Sequence, residues 1–214
     1  MNKLIYKNAN EAYEETLKLI KKNGVSFQKT LALFNHGFII QNPMDNLITN
    51  EERKWNEKYA IAEFDWYESK DPSVIELSKR AKIWEKHMDS LGNVNSNYGA
   101  QLNRNNQLEN IVNIIKEKKD SRQAWLTIYD AKDIKESPFT NNGFKKDTPC
   151  TLSIGFQHYN GKLNMTVLMR SNDIWFGFCN DQYCFSRIFK QVCDITDNEI
   201  GEYYHYSSNM HLYV

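Results

Sequence analysis

The sequence predicts a mixed α/β chain, and three observations carry that expectation. Segments with apolar residues three and four apart alternate along the chain with segments that alternate residue by residue, the signatures of amphipathic helices and half-buried strands. Two of the alternating segments are joined by "HYNGK", residues 158–162, whose Asn-Gly step is a hairpin turn. With 214 residues the chain is long enough to bury one sizeable core, so one domain over 1–214 is expected.

The elements follow in order. "NANEAYEETLKLIKKNG", residues 8–24, offers Asn8 as N-cap with Glu11 three residues on, Tyr13, Leu17 and Ile20 on one face, and Gly24 after two lysines. "KTLALFNHGFII", 29–40, is too densely apolar for a surface helix and suits a buried strand with a bend at Gly37. "ERKWNEKYAIAEFDWYESK", 52–70, has helical spacing in Trp55, Tyr59, Ala62 and Trp66 and stops before Asp71-Pro72. A third helix is expected over "VIELSKRAKIWEKHMDSLG", 74–92, and a fourth over "LENIVNIIKEKKDS", 108–121, before the strand candidate "AWLTIYD", 124–130. Lys135 to Asp147 has the Pro, Gly, Asn and charge content of a surface loop. Leu152, Ile154 and Phe156 then alternate on one side of the hairpin turn, and Leu163, Met165, Val167 and Met169 on the other. A helix over about Asp181 to Cys193 and a last strand in "EYYHYSSNMHLYV" complete the chain, with no internal repeat.

Composition excludes several classes of function. Lys+Arg and Asp+Glu both total 27, so no global basic field awaits nucleic acid and any charged ligand must be held by a local cluster. The four cysteines form no CxxC pair and, with the five histidines, match no zinc pattern, so no metal is expected and a reduced, cytoplasmic setting is. The N-terminus turns charged before a signal-length apolar stretch develops, and no run is long enough to cross a bilayer, so no membrane partner is expected.

The hairpin places Cys150 at the start of one strand beside Arg170 at the end of the other. Cys150 is either a small buried hydrophobe with an inert thiol or a nucleophile, and Arg170 either a solvated charge or an anion clamp that lowers the thiol pKa. In "MRSNDIWFGFCND", 169–181, Arg170, Ser171, Asn172, Asp173, Asn180 and Asp181 crowd among aromatics and need partners, which a ligand can supply.

"NSNYG" (95–99), "DSR" (120–122), "TPC" (148–150), "MRSND" (169–173), "FGFCND" (176–181) and "HLY" (211–213) fall in the order and approximate spacing of the thymidylate synthase superfamily. The chain resembles that superfamily from about residue 29 to its end, and within it most resembles the bacteriophage deoxycytidylate hydroxymethylases; "EFDWYESK" (63–70) is similar to the family's Glu-containing helix. The resemblance implies a thymidylate synthase-like fold, a large mixed sheet flanked by helices, with two subunits stacked sheet to sheet in a homodimer. It implies methylenetetrahydrofolate as co-substrate and a pyrimidine deoxynucleoside monophosphate as acceptor, in a bacterial host's cytoplasm if the protein is phage-encoded.

Position by position, the resemblance makes Cys150 the nucleophile that adds to carbon 6 of the pyrimidine, and Glu63 the general acid/base acting through ordered water. Arg170 and Ser171 resemble the phosphate-binding pair, and Arg122 an arginine lent to that phosphate by the other subunit. His211 and Tyr213 match the pair that holds the sugar hydroxyl. Tyr98 and Trp84 match residues lining the nucleotide and folate pockets, and Asp173 the aspartate that meets the pterin. Asp181 discriminates between bases, because the synthases place there an Asn that suits uracil, whereas an Asp that carries a proton suits cytosine. Asn180, one residue earlier, is the alternative reader in that loop. The reading is therefore dCMP hydroxymethylation, with a thymidylate synthase or dUMP hydroxymethylase, or a nucleotide-binding protein without turnover, as alternatives.

Departures from the family pattern add further expectations. Gln123 follows "DSR" where a second Arg is usual, and Thr151 follows the cysteine where the synthases have His. The early-loop arginine has no counterpart in "KKNGVSFQKT", where Lys22 and Lys29 are the candidates. The sequence ends at Val214, directly after "HLY", so the segment that closes over folate in the synthases is expected to be missing and water to enter more freely.

Overall fold

A computed structural model describes residues 3–133 and 147–214. The loop expected over Lys135 to Asp147 lies outside the described residues except for Asp147. The elements are β1 Leu4–Tyr6, α1 Ala9–Asn23, β2 Val25–Phe27, β3 Thr30–Ile40, α2 Glu57–Ser69, α3 Ile75–Ser78, α4 Tyr98–Asn103, α5 Gln107–Glu117, β4 Trp125–Thr127, β5 Thr151–Tyr159, β6 Lys162–Met169, β7 Asn172–Asp173, α6 Gly177–Thr196 and β8 Ile200–Tyr213.

The strands form one mixed sheet in the order β1-β3-β8-β6-β5-β4, with β2 paired to β3 and β7 to β8. β8 is its axis: it runs antiparallel to β3 and parallel to both β6 and β7. The β5–β6 hairpin turns at Asn160 and Gly161, both at positive φ (53° and 78°), as the Asn-Gly step predicts. It sets Thr151 opposite Met169, and the Arg170 amide donates to the Cys150 carbonyl at 2.9 Å.

Helix α6 packs on this sheet as the central element. Phe178, Tyr183, Cys184, Phe185, Phe189 and Val192 are all buried, so the helix is apolar around most of its circumference, as a core helix must be. It starts four residues before the expected Asp181, and "FGFCND" forms its first turns rather than a loop. α1 is capped as expected, the Glu11 amide donating to Asn8 Oδ1 at 2.9 Å, and buries Tyr13, Leu17 and Ile20.

Two further expectations need correction. The helix expected over 74–92 is one α-helical turn, α3, and one 3₁₀ turn at Lys82–Lys86, separated by Ala81 in extended conformation. That break lets Trp84 turn inward, where its ring meets Trp66 at 5.3 Å and its Nε1 donates to Tyr59 Oη at 2.8 Å; tertiary contacts override the local helical spacing. The irregularity in β3 is at Asn35, with φ 55°, and not at Gly37. Gly37 pairs regularly with Tyr206, and a Cβ there would stand 2.5 Å from the Tyr204 hydroxyl. On α2 the buried residues are Ala60, Glu63, Trp66 and Tyr67, so Glu63 lies on the helix's inward face.

Among the described residues no helix is long and apolar enough to cross a membrane, and no group of three or more His, Cys, Asp or Glu side chains is placed to hold a metal ion. All four cysteines are free, Cys150 half-buried and the other three buried.

Candidate functional site

The sheet, α2 and the first turns of α6 enclose a cleft of about 1120 Å³. Cys150, Glu63, Tyr98, Trp84, Arg170, Ser171, Asp173, Asn180, Asp181, His211 and Tyr213 all line it, drawn from segments up to 150 residues apart. Arg122 does not. It is exposed on the turn after α5, in a shallow hollow of about 410 Å³ formed with Lys118, Asp120, Ser121 and Gln123. Lys22 and Lys29 are exposed and outside the cleft, whereas Arg53, unremarked in the sequence, lines it and packs its guanidinium over Phe176 at 5.4 Å.

The hairpin fixes the thiol and the guanidinium together. Arg170 Nε donates to the Pro149 carbonyl at 3.0 Å, and Nη2 to the Thr148 carbonyl at 2.8 Å and toward Cys150 Sγ at 3.6 Å. Nη1 has no hydrogen bond among the described residues, which leaves an edge of the fork for an anion. Burial pushes the Cys150 thiol above its ordinary pKa; Arg170 pulls it back, and Asp181, Asp147 and Asp173 push it up again. The net direction is upward, so the arginine offsets the cost of burying a thiolate without reversing it.

"NSNYG" is the scaffold behind the thiol. The Asp147 carboxylate accepts from the Asn95 and Ser96 amides, both at 2.8 Å, and from the Ser96 hydroxyl. Asn97 caps α4 through the Ala100 amide and donates to the carbonyls of Trp66 and Asp71, at 2.9 and 2.7 Å, which ties α4 to the end of α2. Tyr98 Oη accepts from the amides of Cys150 and Thr151 at 3.3 and 3.4 Å, so this ring both lines the cleft and steadies the strand that carries the thiol. Asp147→Ala is expected to destabilise the fold by about 3 kcal/mol, since it strands buried donors of Asn95 and Ser96. A lower urea midpoint at unchanged slope is the readout.

Opposite the thiol stand two carboxyls. Burial, with the charge of Asp181 adding to it and a hydrogen bond from Tyr59 opposing it, raises Glu63 to about 8. Glu63 Oε2 is buried without a hydrogen-bond partner. Burial also raises Asp181 to about 7, opposed by the bond from Asn172 Nδ2 to Asp181 Oδ2 at 2.8 Å and reinforced by Asp173. Two carboxyls titrating near neutrality in one cleft can hold, donate or accept protons at physiological pH.

The remaining side chains are anchored more conventionally. Asp173 accepts from the Trp175 and Phe176 amides at 2.9 and 3.3 Å and pairs in β7 with His211 of β8. Burial raises its carboxyl above the usual range. His211 meets Tyr213 edge to face at 5.2 Å. Asn180 Oδ1 accepts from Trp55 Nε1 at 2.8 Å and its amide donates to the Phe176 carbonyl, so its polar ends are already engaged while Asp181 keeps one oxygen outside the Asn172 bond.

Sequence reasoning missed Tyr59, Asp147 and Arg53, and left Asn172 without a role. Only Asp147 had a local signal, adjacent to "TPC"; Tyr59 reads as one more apolar position of α2 until the fold brings Trp84 and Glu63 against it.

The family model described as "Thymidylate synthase" matches residues 10–214. The chain is 30% identical over 189 residues to the deoxyuridylate hydroxymethyltransferase of Bacillus phage SP01, covering 81% of this chain and 48% of that protein. It is 30% identical over 174 residues to the deoxycytidylate 5-hydroxymethyltransferase of Enterobacteria phage T4, covering 79% and 66%. It thus spans about half to two thirds of the length of these curated relatives. The fold matches thermostable thymidylate synthase A from Bacillus subtilis with a TM-score of 0.76, at 22% identity, over 95% of this chain and 79% of that one.

Proposed function

The chain belongs to the thymidylate synthase family, and on that premise we propose that it hydroxymethylates carbon 5 of dCMP with methylenetetrahydrofolate. The observation that carries the choice of base is Asp181, a cleft carboxyl with a pKa raised to about 7 that accepts from Asn172 on one oxygen and keeps the other for a ligand. A protonated carboxyl offers a donor and an acceptor side by side, the complement of cytosine's ring nitrogen and amino group. Uracil presents the reverse pattern, and mismatched buried polar groups are costly.

The chain's residues divide the work as follows. Arg170 and Ser171 hold the phosphate, and His211 and Tyr213 the sugar. Cys150 Sγ bonds to carbon 6 of the ring, its proton leaving as the bond forms, so that carbon 5 becomes nucleophilic. The folate supplies the one-carbon unit. Glu63, protonated near neutrality, gives and receives protons beside the ring and orients the water that becomes the hydroxyl. Loss of the carbon 5 proton expels tetrahydrofolate and leaves an exocyclic methylene on the ring; water adds to that carbon, and departure of the Cys150 thiolate from carbon 6 restores the aromatic ring. The cleft suits both reactants, since its volume of about 1120 Å³ exceeds the range of about 300–1000 Å³ for a single ligand, and Trp55, Trp84 and His87 give it flat aromatic walls. Trp84 and Asp173 belong to the folate side in this reading.

Arg122 belongs to the phosphate site of a second copy: it is exposed, outside its own cleft, and beside Lys118 in a hollow open to a partner. A sheet-to-sheet homodimer completes the site on this reading. dUMP is the second candidate, because the phage SP01 relative is named for it.

The test is incubation of the protein with methylenetetrahydrofolate and either dCMP or dUMP, followed by mass spectrometry of the nucleotide. Hydroxymethyl-dCMP from the wild type and none from Cys150→Ala is expected. Product from dUMP alone would transfer the reading to that base, and a methyl product with dihydrofolate would make the chain a synthase.

A further inference from the structure

We infer that Asn172, anchored from behind by His205 and Tyr203, is a specificity-determining positioning residue: it commits one oxygen of Asp181 as an acceptor, so that the proton of this carboxyl sits on the other oxygen, facing the base. The inference rests on the reading of Asp181 as the group that meets the base.

The three residues form one buried chain of hydrogen bonds. Tyr203 Oη lies 2.8 Å from His205 Nδ1, His205 Nε2 lies 3.1 Å from Asn172 Oδ1, and Asn172 Nδ2 donates to Asp181 Oδ2 at 2.8 Å. Tyr203, His205 and Asn172 are at most 3% exposed, and His205 is wedged against Phe38 at 5.3 Å and Phe178 at 5.2 Å. Burial, helped by nearby His36, lowers the His205 pKa to about 3, so the ring is neutral and has one N–H to give.

The direction of the chain then follows. Asn172 Oδ1 only accepts, so His205 must donate from Nε2, which leaves Nδ1 bare to accept from the Tyr203 hydroxyl. The reverse orientation would turn Asn172 Oδ1 toward the Asp181 carboxyl, oxygen against oxygen, which is repulsive whenever Asp181 is ionised. Held this way, Asn172 favours Asp181 either ionised or protonated on Oδ1, because a carbonyl-type oxygen accepts better than a hydroxyl oxygen. Gly177, the first residue of α6, makes room for the contact: a Cβ there would stand 3.0 Å from Asn172 Nδ2 and 3.4 Å from Asp181 Oδ2.

For the base the consequence is specific. The phosphate, the sugar and the bond from Cys150 to carbon 6 fix where the ring lies, so it cannot slide along the carboxyl edge. With the proton on Oδ1, that oxygen donates to the bare ring nitrogen of cytosine while Oδ2 uses its second lone pair for the amino group. Uracil would need the proton on Oδ2, the oxygen that Asn172 already occupies.

The experiment measures dCMP and dUMP dissociation constants by titration calorimetry on the full chain, for wild type, His205→Gln and His205→Leu. His205 does not line the cleft, Gln keeps an N–H where Nε2 donates, and Leu removes it. The wild type is expected to prefer dCMP by about 100-fold or more. His205→Gln should keep that ratio within about threefold, and His205→Leu, which frees the Asn172 amide to turn, should reduce it about tenfold. Gly177→Ala, which crowds the same bond from the helix side and favours helix, should also reduce it. An unchanged ratio in folded His205→Leu or in Gly177→Ala overturns the inference and leaves the proposed substrate standing. A wild type that binds the two nucleotides equally, or prefers dUMP, overturns both.

Discussion

Replacing Glu63 by Gln is expected to abolish most turnover and yet to make the protein more stable at alkaline pH. Glu63 lies on the buried face of α2, with one oxygen unpartnered and its pKa raised to about 8. In the unfolded chain the same carboxyl titrates near its ordinary value of 4.5. Below that value both states are protonated and the group contributes nothing. Between about 4.5 and about 8 the unfolded state has lost the proton and the folded state keeps it, so each pH unit costs the fold about 1.4 kcal/mol at most. Above about 8 both states are ionised and the full penalty remains. Wild-type stability therefore falls as pH rises through this window, and Asp181, raised to about 7, adds to the fall at its lower end. Gln does not titrate, so Glu63→Gln should flatten the profile and gain about 2–4 kcal/mol at pH 9. Urea unfolding from pH 5 to 9 measures this. Turnover should drop by about 100-fold to 10,000-fold, the usual contribution of a positioned acid or base. An equal loss of stability at every pH would show that Glu63 is a packing residue and not a proton carrier.

The second large effect is structural. Gly99→Ala is expected to unfold the protein or to lower its melting temperature by about 10 °C or more. A Cβ at Gly99 would lie 1.7 Å from the Tyr67 carbonyl oxygen and 2.4 Å from its carbon, and both are backbone atoms. No rotamer change relieves that overlap, so α4 must move away from α2. The movement would pull Tyr98 from the Cys150 amide and Asn97 from the Trp66 carbonyl, at a cost of about 3–5 kcal/mol. Gly161→Ala is the control. Gly161 sits at φ 78° in the hairpin turn with nothing within 4 Å of a Cβ, so its cost is backbone strain alone, about 1 kcal/mol. Thermal unfolding by circular dichroism separates the two; comparable losses would mean that α2 and α4 tolerate a wider separation.

These two residues also show how much of the site was legible in advance. The Asn-Gly turn and the alternating pattern of β5 and β6 are local signals, and they sufficed to bring Cys150 and Arg170 together before any coordinates. Family motifs then named many of the residues that line the cleft, among them Glu63, Tyr98, Asp181 and His211, but not Arg53, Tyr59, Tyr129 or Asp147. What they did not reveal is why the motifs have those letters. "NSNYG" supplies a loop pinned to Asp147, an amide tied to the Asp71 carbonyl, a ring under Cys150 and a gap for a carbonyl, and each of these depends on contacts 26 to 52 positions away. The helix expected over 74–92 failed for the same reason: its local spacing was helical, but the half-buried Trp84 packs against Trp66 and bonds to Tyr59, contacts with α2 that local spacing does not show.

The sequence by itself determined the class of fold, the hairpin that sets the thiol beside the guanidinium, and the family to which the chain belongs, because turns, periodicities and motifs are written in neighbouring residues. Only the tertiary structure decided that Glu63 faces inward, that Asn172 holds Asp181 while Asn180 is engaged by Trp55, and that His205 and Tyr203 stand behind Asn172. The physical reason is that burial and hydrogen-bond direction set a side chain's proton affinity, and both arise from residues distant in sequence that become neighbours only when β8, β7, α2 and α6 close around one cleft.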